Sequence, residues 1–232
     1  MAIDALPPPE EKRAAVKAMF DRIAPRYDAL NRIMTLGLDQ RWRSRALDAA
    51  EVGADDILVD LACGTGDLAE QAAARGAQVI GVDFAREMLR GAQRRLEGVS
   101  LAQGDGAALP FATGSATVLT CGFALRNFVE LGQVFREMGR VLTPGGRLVL
   151  IEVDRPPSGV VRAGHSLYFD RVVPKVGGWL SDRAAYAYLP QSTSYLPGDD
   201  DLREMLELAG FSEITKQRLL LGTAQILIGV RS

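Results

Sequence analysis

The residues of this chain that could do chemistry recur in one arrangement: an apolar run followed at once by an acid or a glycine turn. Val59-Asp60-Leu61-Ala62-Cys63-Gly64-Thr65-Gly66-Asp67 is the densest case. Gly64 and Gly66 permit a tight turn and let backbone N–H groups approach a ligand. Asp60 beside them can meet a charged amine, directly or through water. Ala69 stands where a dinucleotide fingerprint places its third glycine or alanine, so the glycine pair alone does not fix the ligand. Asp83 ends the next apolar run, where a carboxylate can accept from both hydroxyls of a ribose or cap the following helix. Asp105, within Gly104-Asp105-Gly106, can accept from an exocyclic adenine amine or cap a turn. Three acids and a glycine turn at the ends of successive runs suit a ligand with an ammonium, a ribose and an adenine. A pyrophosphate would prefer fewer negative neighbours. The chain has no Walker motif, which argues against nucleotide hydrolysis.

Further along stand Arg126-Asn127, Glu152 and Asp154, each just past a later apolar run. Arg126 can stabilise a developing anion or form a surface ion pair. Glu152 can act as an acid or base, or simply pack or cap. His165 is the only histidine, so a histidine-rich metal site is excluded; a packing or surface role suits it better than general-base work. Cys63 and Cys121 read as small buried residues rather than nucleophiles, and their spacing matches no metal site.

The elements that must position these residues alternate. Strands are expected at 56–61, 78–83, 99–102, 116–123 and 147–153, with helices at 67–75, 85–96 and 131–142 between them. That alternation predicts an α/β fold with a parallel sheet covered on both faces. Two closing strands, 214–221 and 224–230, are expected to pair antiparallel across Gly222 and Thr223, after a helix at 199–208. Helical patterning over 10–50, rich in aromatic, Met and Arg residues and broken near Pro25 and Gly37, predicts a cap before the first strand, either packed or covering a ligand site. The tyrosine-rich stretch 156–197 is too long for a plain connection and reads as a helical insertion. It could wall a pocket or form a homodimer surface.

The composition is consistent with this frame. A chain of 232 residues, 47% hydrophobic, can close one core without disulfide or metal staples. A net charge of -2 and a pI near 5.6 do not suggest a nucleic-acid partner. No signal peptide is indicated, and no run approaches the roughly 20 apolar residues of a membrane-spanning helix. A cytoplasmic location is the default, with transient membrane contact through the apolar segment 30–38 as an open expectation.

Eight segments stand out together: PheAspArgIleAlaProArgTyrAspAlaLeuAsn at 20–31, GlyLeuAspGlnArgTrpArg at 37–43, the glycine turn at 60–67 and AspPheAlaArgGluMetLeu at 83–89. They continue with AlaLeuProPhe at 108–111, PheAlaLeuArgAsn at 123–127, ArgValLeuThrProGlyGlyArgLeu at 140–148 and TyrAlaTyrLeuProGlnSer at 186–192. In these segments, and from Met19 to about Gly229, the chain resembles the ubiquinone/menaquinone-biosynthesis C-methyltransferases, a class I S-adenosylmethionine-dependent family. The resemblance implies a Rossmann-like, seven-stranded, mostly parallel sheet with an antiparallel last strand, forming one methyltransferase domain over 1–232. It implies S-adenosylmethionine held by Tyr27, Asp60, Gly64, Thr65, Gly66, Asp83, Phe84, Met88, Gly104, Asp105 and Gly106. It places a hydrophobic aromatic acceptor against Phe123, Arg126, Asn127, Tyr168 and Tyr188. The chain departs from the family pattern at Ala124, at Glu152–Pro156, at Ser194–Asp200 and at Leu227, mostly on the expected acceptor side.

The implied reaction is C-methylation of a demethylmenaquinol or related prenylated quinol, ortho to a ring hydroxyl. Arg126 would face the developing phenolate and Asn127 the hydroxyl or a water. A guanidinium is a poor base, so the ring proton would leave through a water near Asp105, Arg126 and Asn127, or to Asp154 or Glu152. The alternatives are O- or N-methylation of another small aromatic or polyketide-like molecule, or a non-catalytic S-adenosylmethionine-binding protein.

Overall fold

The structure, a computed structural model, describes residues 9–154, 156, 159, 188 and 191–232. Seven strands form one sheet: β1 (Ile57–Leu61), β2 (Gln78–Asp83), β3 (Ser100–Gln103), β4 (Ala116–Gly122), β5 (Leu142–Val153), β6 (Phe211–Leu219) and β7 (Ala224–Arg231). Their order is β3-β2-β1-β4-β5-β7-β6. The first five pair in parallel, and β7 runs antiparallel to both of its neighbours. This is the expected Rossmann-like class I methyltransferase architecture.

Side chains alternate across the sheet, because successive residues of a strand face opposite ways. Val59, Leu61, Leu119, Leu148 and Leu150 meet α6 (Leu131–Val141) and α7 (Asp199–Leu208) through Val134, Phe135, Met138, Leu202 and Leu206. On the other face Leu58, Val118, Val149 and Ile151 meet α3 (Leu38–Ala49) and α4 (Asp67–Ala73) through Ala46, Leu47, Leu68, Ala69 and Ala72. Covering both faces is what makes the strand centres continuous apolar runs.

Residues 9–49 form three helices. α1 (Pro9–Ile23) and α2 (Tyr27–Thr35) are joined by the short helical turn Ala24–Arg26, with Pro25 in it, and α3 follows Gly37. Gly37 begins α3 in the left-handed region at φ 74°, so the sequence break falls where a glycine is needed. Val16, Met19, Ile23 and Leu30 pack on Ala85 and Met88 at the start of α5 (Arg86–Arg95).

Most boundaries differ from the sequence expectation by one or two residues, and the larger displacements lie in β5 and β6. β5 begins at Leu142, where helix 131–142 was expected to end, because an irregularity opposite Ala116–Val118 absorbs Pro144-Gly145-Gly146 before regular pairing resumes at Arg147. β6 starts earlier, at Phe211, and a register shift between Ser212 and Thr215 takes up the extra residues. It also ends earlier: Leu220–Gly222 form a tight turn with Leu221 at φ 56°. Most of the expected insertion, including His165, Tyr168, Trp179 and Tyr186, lies outside the described residues. No described helix is long and apolar enough to cross a membrane.

Candidate active site

The carboxyl ends of β1, β2 and β4 converge on a cavity of about 490 Å³. In a parallel α/β sheet this is where loops diverge and a ligand crevice opens. The β1 turn contributes Leu61, Ala62 and Gly64; the end of β2 and start of α5 contribute Asp83, Phe84 and Met88. Gly104, Asp105 and Gly106 form a side wall, and Phe123, Ala124 and Asn127 another. Phe20 and Tyr27, from the N-terminal helices, also border it.

The wall glycines are there for space. A β-carbon on Gly104 would come 2.9 Å from the Val82 side chain, and one on Gly106 2.9 Å from the Phe128 ring. Gly64 has φ 57° and faces Tyr27, whose Cε1 would be 3.9 Å from an added β-carbon. The tyrosine ring therefore lies over the turn and leaves a narrow gap above its backbone. Gly66 has φ 91° and closes against Leu96, away from the cavity lining.

Two buried carboxyls stand at this end of the sheet, and one of them, Asp83, borders the cavity. Asp60 is 1% exposed; its Oδ1 accepts from the Thr120 hydroxyl at 2.7 Å, and its Oδ2 has no hydrogen-bond partner. Burial pushes this carboxyl up to about 7, against the Thr120 hydrogen bond. Asp83 accepts from the Gly64 N–H and the Ala85 N–H, both at 2.8 Å. Burial nonetheless pushes it up to about 6. Asp83 thus ties the glycine turn to the start of α5 and also borders the cavity. The third acid, Asp105, accepts from the Ala107 N–H at 3.0 Å and forms an ion pair with Arg13 of α1.

The other expected positions divide. Thr65 is buried, and its hydroxyl donates to Asp28 of α2, away from the cavity lining. Asn127 borders the cavity and accepts from the Tyr188 hydroxyl at 3.3 Å. Tyr188 is 1% exposed, and burial pushes its hydroxyl up to about 12. Arg126 lies behind this wall, with Nη1 paired to the fully buried Glu152 and Nε donating to Ser192 Oγ at 3.2 Å. Asp154 is turned elsewhere: Lys216 Nζ is 2.9 Å from its Oδ2 and Arg218 Nε 3.4 Å. Tyr168 lies outside the described residues. Burial also pushes the Cys63 and Cys121 thiols well up, which suits packing rather than nucleophilic attack.

The sequence reading missed Arg13, Phe20, Phe128 and Gln133, all of which border the cavity. Phe128 was within reach, since it adjoins Asn127. Nothing local marks Arg13, which meets Asp105 only through tertiary packing.

The helices above the cavity are held by charge. Asp67, the first residue of α4, takes Arg32 Nη2 at 2.8 Å and Arg95 Nη1 at 2.9 Å. Asp39 of α3 takes Arg32 at 2.7 Å and Arg43 at 2.8 Å. Asp21 of α1 accepts from the Glu87 N–H, one of the free donors in the first turn of α5, at 3.0 Å.

S-adenosylmethionine fits these donors and acceptors. Its ribose hydroxyls would meet Asp83 and its adenine amine Asp105, both at the cavity, and the charge of Asp60 beside the glycine turn would favour its ammonium. Phe84 and Met88 supply apolar contact near Asp83. Among the described residues no cluster of His, Cys, Asp or Glu could hold a metal.

Comparison with known proteins agrees. A family model described as "ubiE/COQ5 methyltransferase family" matches residues 9–231. The demethylmenaquinone methyltransferase of Thermus thermophilus is 44% identical over 220 residues, covering 92% of this chain and 100% of that one. The ubiquinone/menaquinone biosynthesis C-methyltransferase UbiE of Syntrophotalea carbinolica is 39% identical, covering 93% and 94%. A solved S-adenosylmethionine-dependent methyltransferase from Mesorhizobium loti superposes with a TM-score of 0.59 at 19% identity, over 81% of this chain and 96% of that one, which shows the shared fold.

Proposed function

From the premise that this chain belongs to the ubiE/COQ5 methyltransferase family and is an S-adenosylmethionine-dependent methyltransferase, we propose that its acceptor is a demethylmenaquinol or a related prenylated quinol, methylated on ring carbon. The observation that carries this reading is the continuity of one cavity, from the acidic floor at Asp83 to an aromatic and amide wall at Phe123 and Asn127. A flat ring with hydroxyl groups suits that wall, and the names of the relatives point the same way.

S-adenosylmethionine, when bound, supplies a methyl group made electrophilic by its sulfonium. The chain supplies orientation and a dry, shaped space. Asn127, its carbonyl engaged by Tyr188, has its amide N–H groups left to hold a ring oxygen. Arg126, fixed by Glu152 and Ser192 just behind that wall, lends positive potential to a ring that becomes phenolate. Phe123 limits how the ring can tilt. The ring proton leaves to water at the Asn127 side. Asp154 takes no part, because its carboxylate serves Lys216 and Arg218.

The test is turnover with labelled S-adenosylmethionine and a reduced short-chain demethylmenaquinol, with the product located by NMR. Label on the ring carbon is the expected result. Label on oxygen, or cofactor binding without transfer, would overturn the acceptor assignment and leave the family assignment standing.

A further inference from the structure

The stretch Gly37–Arg43 stands out in the sequence, yet the cofactor floor does not use it. Phe123 poses a related problem. It borders the cavity with φ 59°, a left-handed conformation that a bulky aromatic residue rarely adopts. Such a conformation persists only where its surroundings over-determine it.

Part of those surroundings comes from 37–43. The Phe123 N–H donates to Ile151 O at 2.6 Å, which fixes its backbone to β5. Its ring packs against Trp42, with centroids 6.3 Å apart and a tilt of 46°. The Arg43 guanidinium lies over the same ring, 5.2 Å from its centroid. Arg43 is only 5% exposed. Its Nη1 is 2.8 Å from Asp39 Oδ2, and its Nη2 is 4.0 Å from Asp67 Oδ2. Gln40 Nε2 bridges the same two acids, at 2.9 and 3.1 Å. One cation therefore faces the aromatic wall and the acid that opens α4, straight after the glycine turn. A cation over a ring is attracted most strongly where water is excluded, as it is here.

We propose that Arg43 is a positioning residue for the acceptor, holding the Phe123 wall at a set distance from the cofactor turn. The inference rests on the reading of Phe123 as part of the acceptor wall. It makes 37–43 a spacer between the two halves of the site. A guanidinium is required because it faces an acid on one edge and a ring on its plane.

A double-mutant cycle tests it, using wild type, R43M, F123L and the pair, with R43K run alongside in case R43M fails to fold. The readouts are kcat/KM for the reduced demethylmenaquinol and the Kd of S-adenosylmethionine by calorimetry. R43M is expected to lower kcat/KM about tenfold, mainly through KM, in the Phe123 background, and less than about threefold once Phe123 is Leu. The cofactor Kd should move less than about twofold, and R43K should fall between wild type and R43M. Equal losses in both backgrounds, or a loss carried by cofactor Kd, would overturn the proposal. If wild type does not turn over this quinol, the acceptor reading has failed, and a ¹⁹F resonance from 4-fluorophenylalanine at position 123 decides the role of Arg43 separately. A resonance that moves or broadens in R43M and R43K supports it; one that stays put sinks it.

Discussion

Four aspartates of nearly equal burial lie in two regions of this molecule, and their surroundings differ. Asp83 borders the cavity and Asp60 stands in β1 beside the cavity-lining Leu61, at 5% and 1% exposure, and burial pushes their carboxyls up to about 6 and about 7. Asp39 and Asp67 join the cover to the sheet, at 2% and 4% exposure. Burial also acts against the Asp67 charge, yet hydrogen bonding from Arg32 and the charges of Arg43, Arg32 and Arg95 hold its carboxyl below the usual range. Residue type and depth are the same; Asp67 has ion-pair partners, whereas Asp60 feels the charge of Arg43 without an ion pair among the described residues and Asp83 is held by backbone N–H groups. A buried acid whose neighbours neutralise it is finished as structure, whereas one without an ion-pair partner keeps acceptor capacity for the groups a ligand brings.

Removing the charge on the cover side should have the largest effect. Asp67→Asn leaves Arg32 and Arg95 facing a neutral amide. It should cost about 2–3 kcal/mol in urea unfolding, a figure kept below that of a fully buried pair because both arginines are partly exposed. A loss under about 0.5 kcal/mol would mean that the cover is held by its apolar contacts alone.

On the floor, Asp83→Ala should weaken S-adenosylmethionine binding about 30-fold by calorimetry, the usual size of a lost charged hydrogen bond to a ligand. An unchanged Kd would show that this acid only braces the Gly64 turn.

pH gives the next contrast. In the unfolded chain the Asp60 carboxyl ionises near its ordinary value of 3.8, but in the native chain only near 7. Its burial penalty is therefore absent below the lower value, and the cofactor-free protein loses stability from this group as pH rises between the two. Bound ammonium favours the carboxylate. Cofactor affinity should therefore fall as pH drops below 7, by at most about tenfold per unit, and Asp60→Asn should flatten that dependence. A wild-type affinity equal at pH 6 and pH 8 would contradict the unpartnered-acid account.

The smallest effect belongs to Asp154→Asn, which should change kcat less than about twofold, since its partners Lys216 and Arg218 lie on β6 rather than in the cavity. A hundredfold fall in kcat would return Asp154 to the chemistry.

The floor was legible in the sequence because each of its parts is local. Ile57–Leu61 is an apolar run ending in an acid and a glycine turn, and Asp83 and Asp105 repeat the pattern one and two strands later. The cover was legible only as helices. Its working contacts, Arg13 to Asp105 and Lys12 to Phe128, join residues far apart in the chain, and no periodicity announces them. Arg126 and Glu152 were each visible as a cation and an acid. Their pairing follows from β4 and β5 lying in parallel with Gly122 beside Ile151, which brings both to one end of the sheet. The boundaries of β5 and β6 were displaced because bulges absorb residues that a strict period of two does not allow for.

The cover also bears on the order in which the molecule is made. Residues 9–49 are made before the sheet they cover, and some of their anchors come much later. Lys12 donates to a carbonyl 116 residues on, and Arg45 to a side chain 172 residues on. Contacts of such separation form late, because long loops must close before they contribute. The outermost contacts of this cover therefore close last on a nascent sheet, and until then the part of α1 that they hold is exposed to whatever chaperone or surface lies nearby.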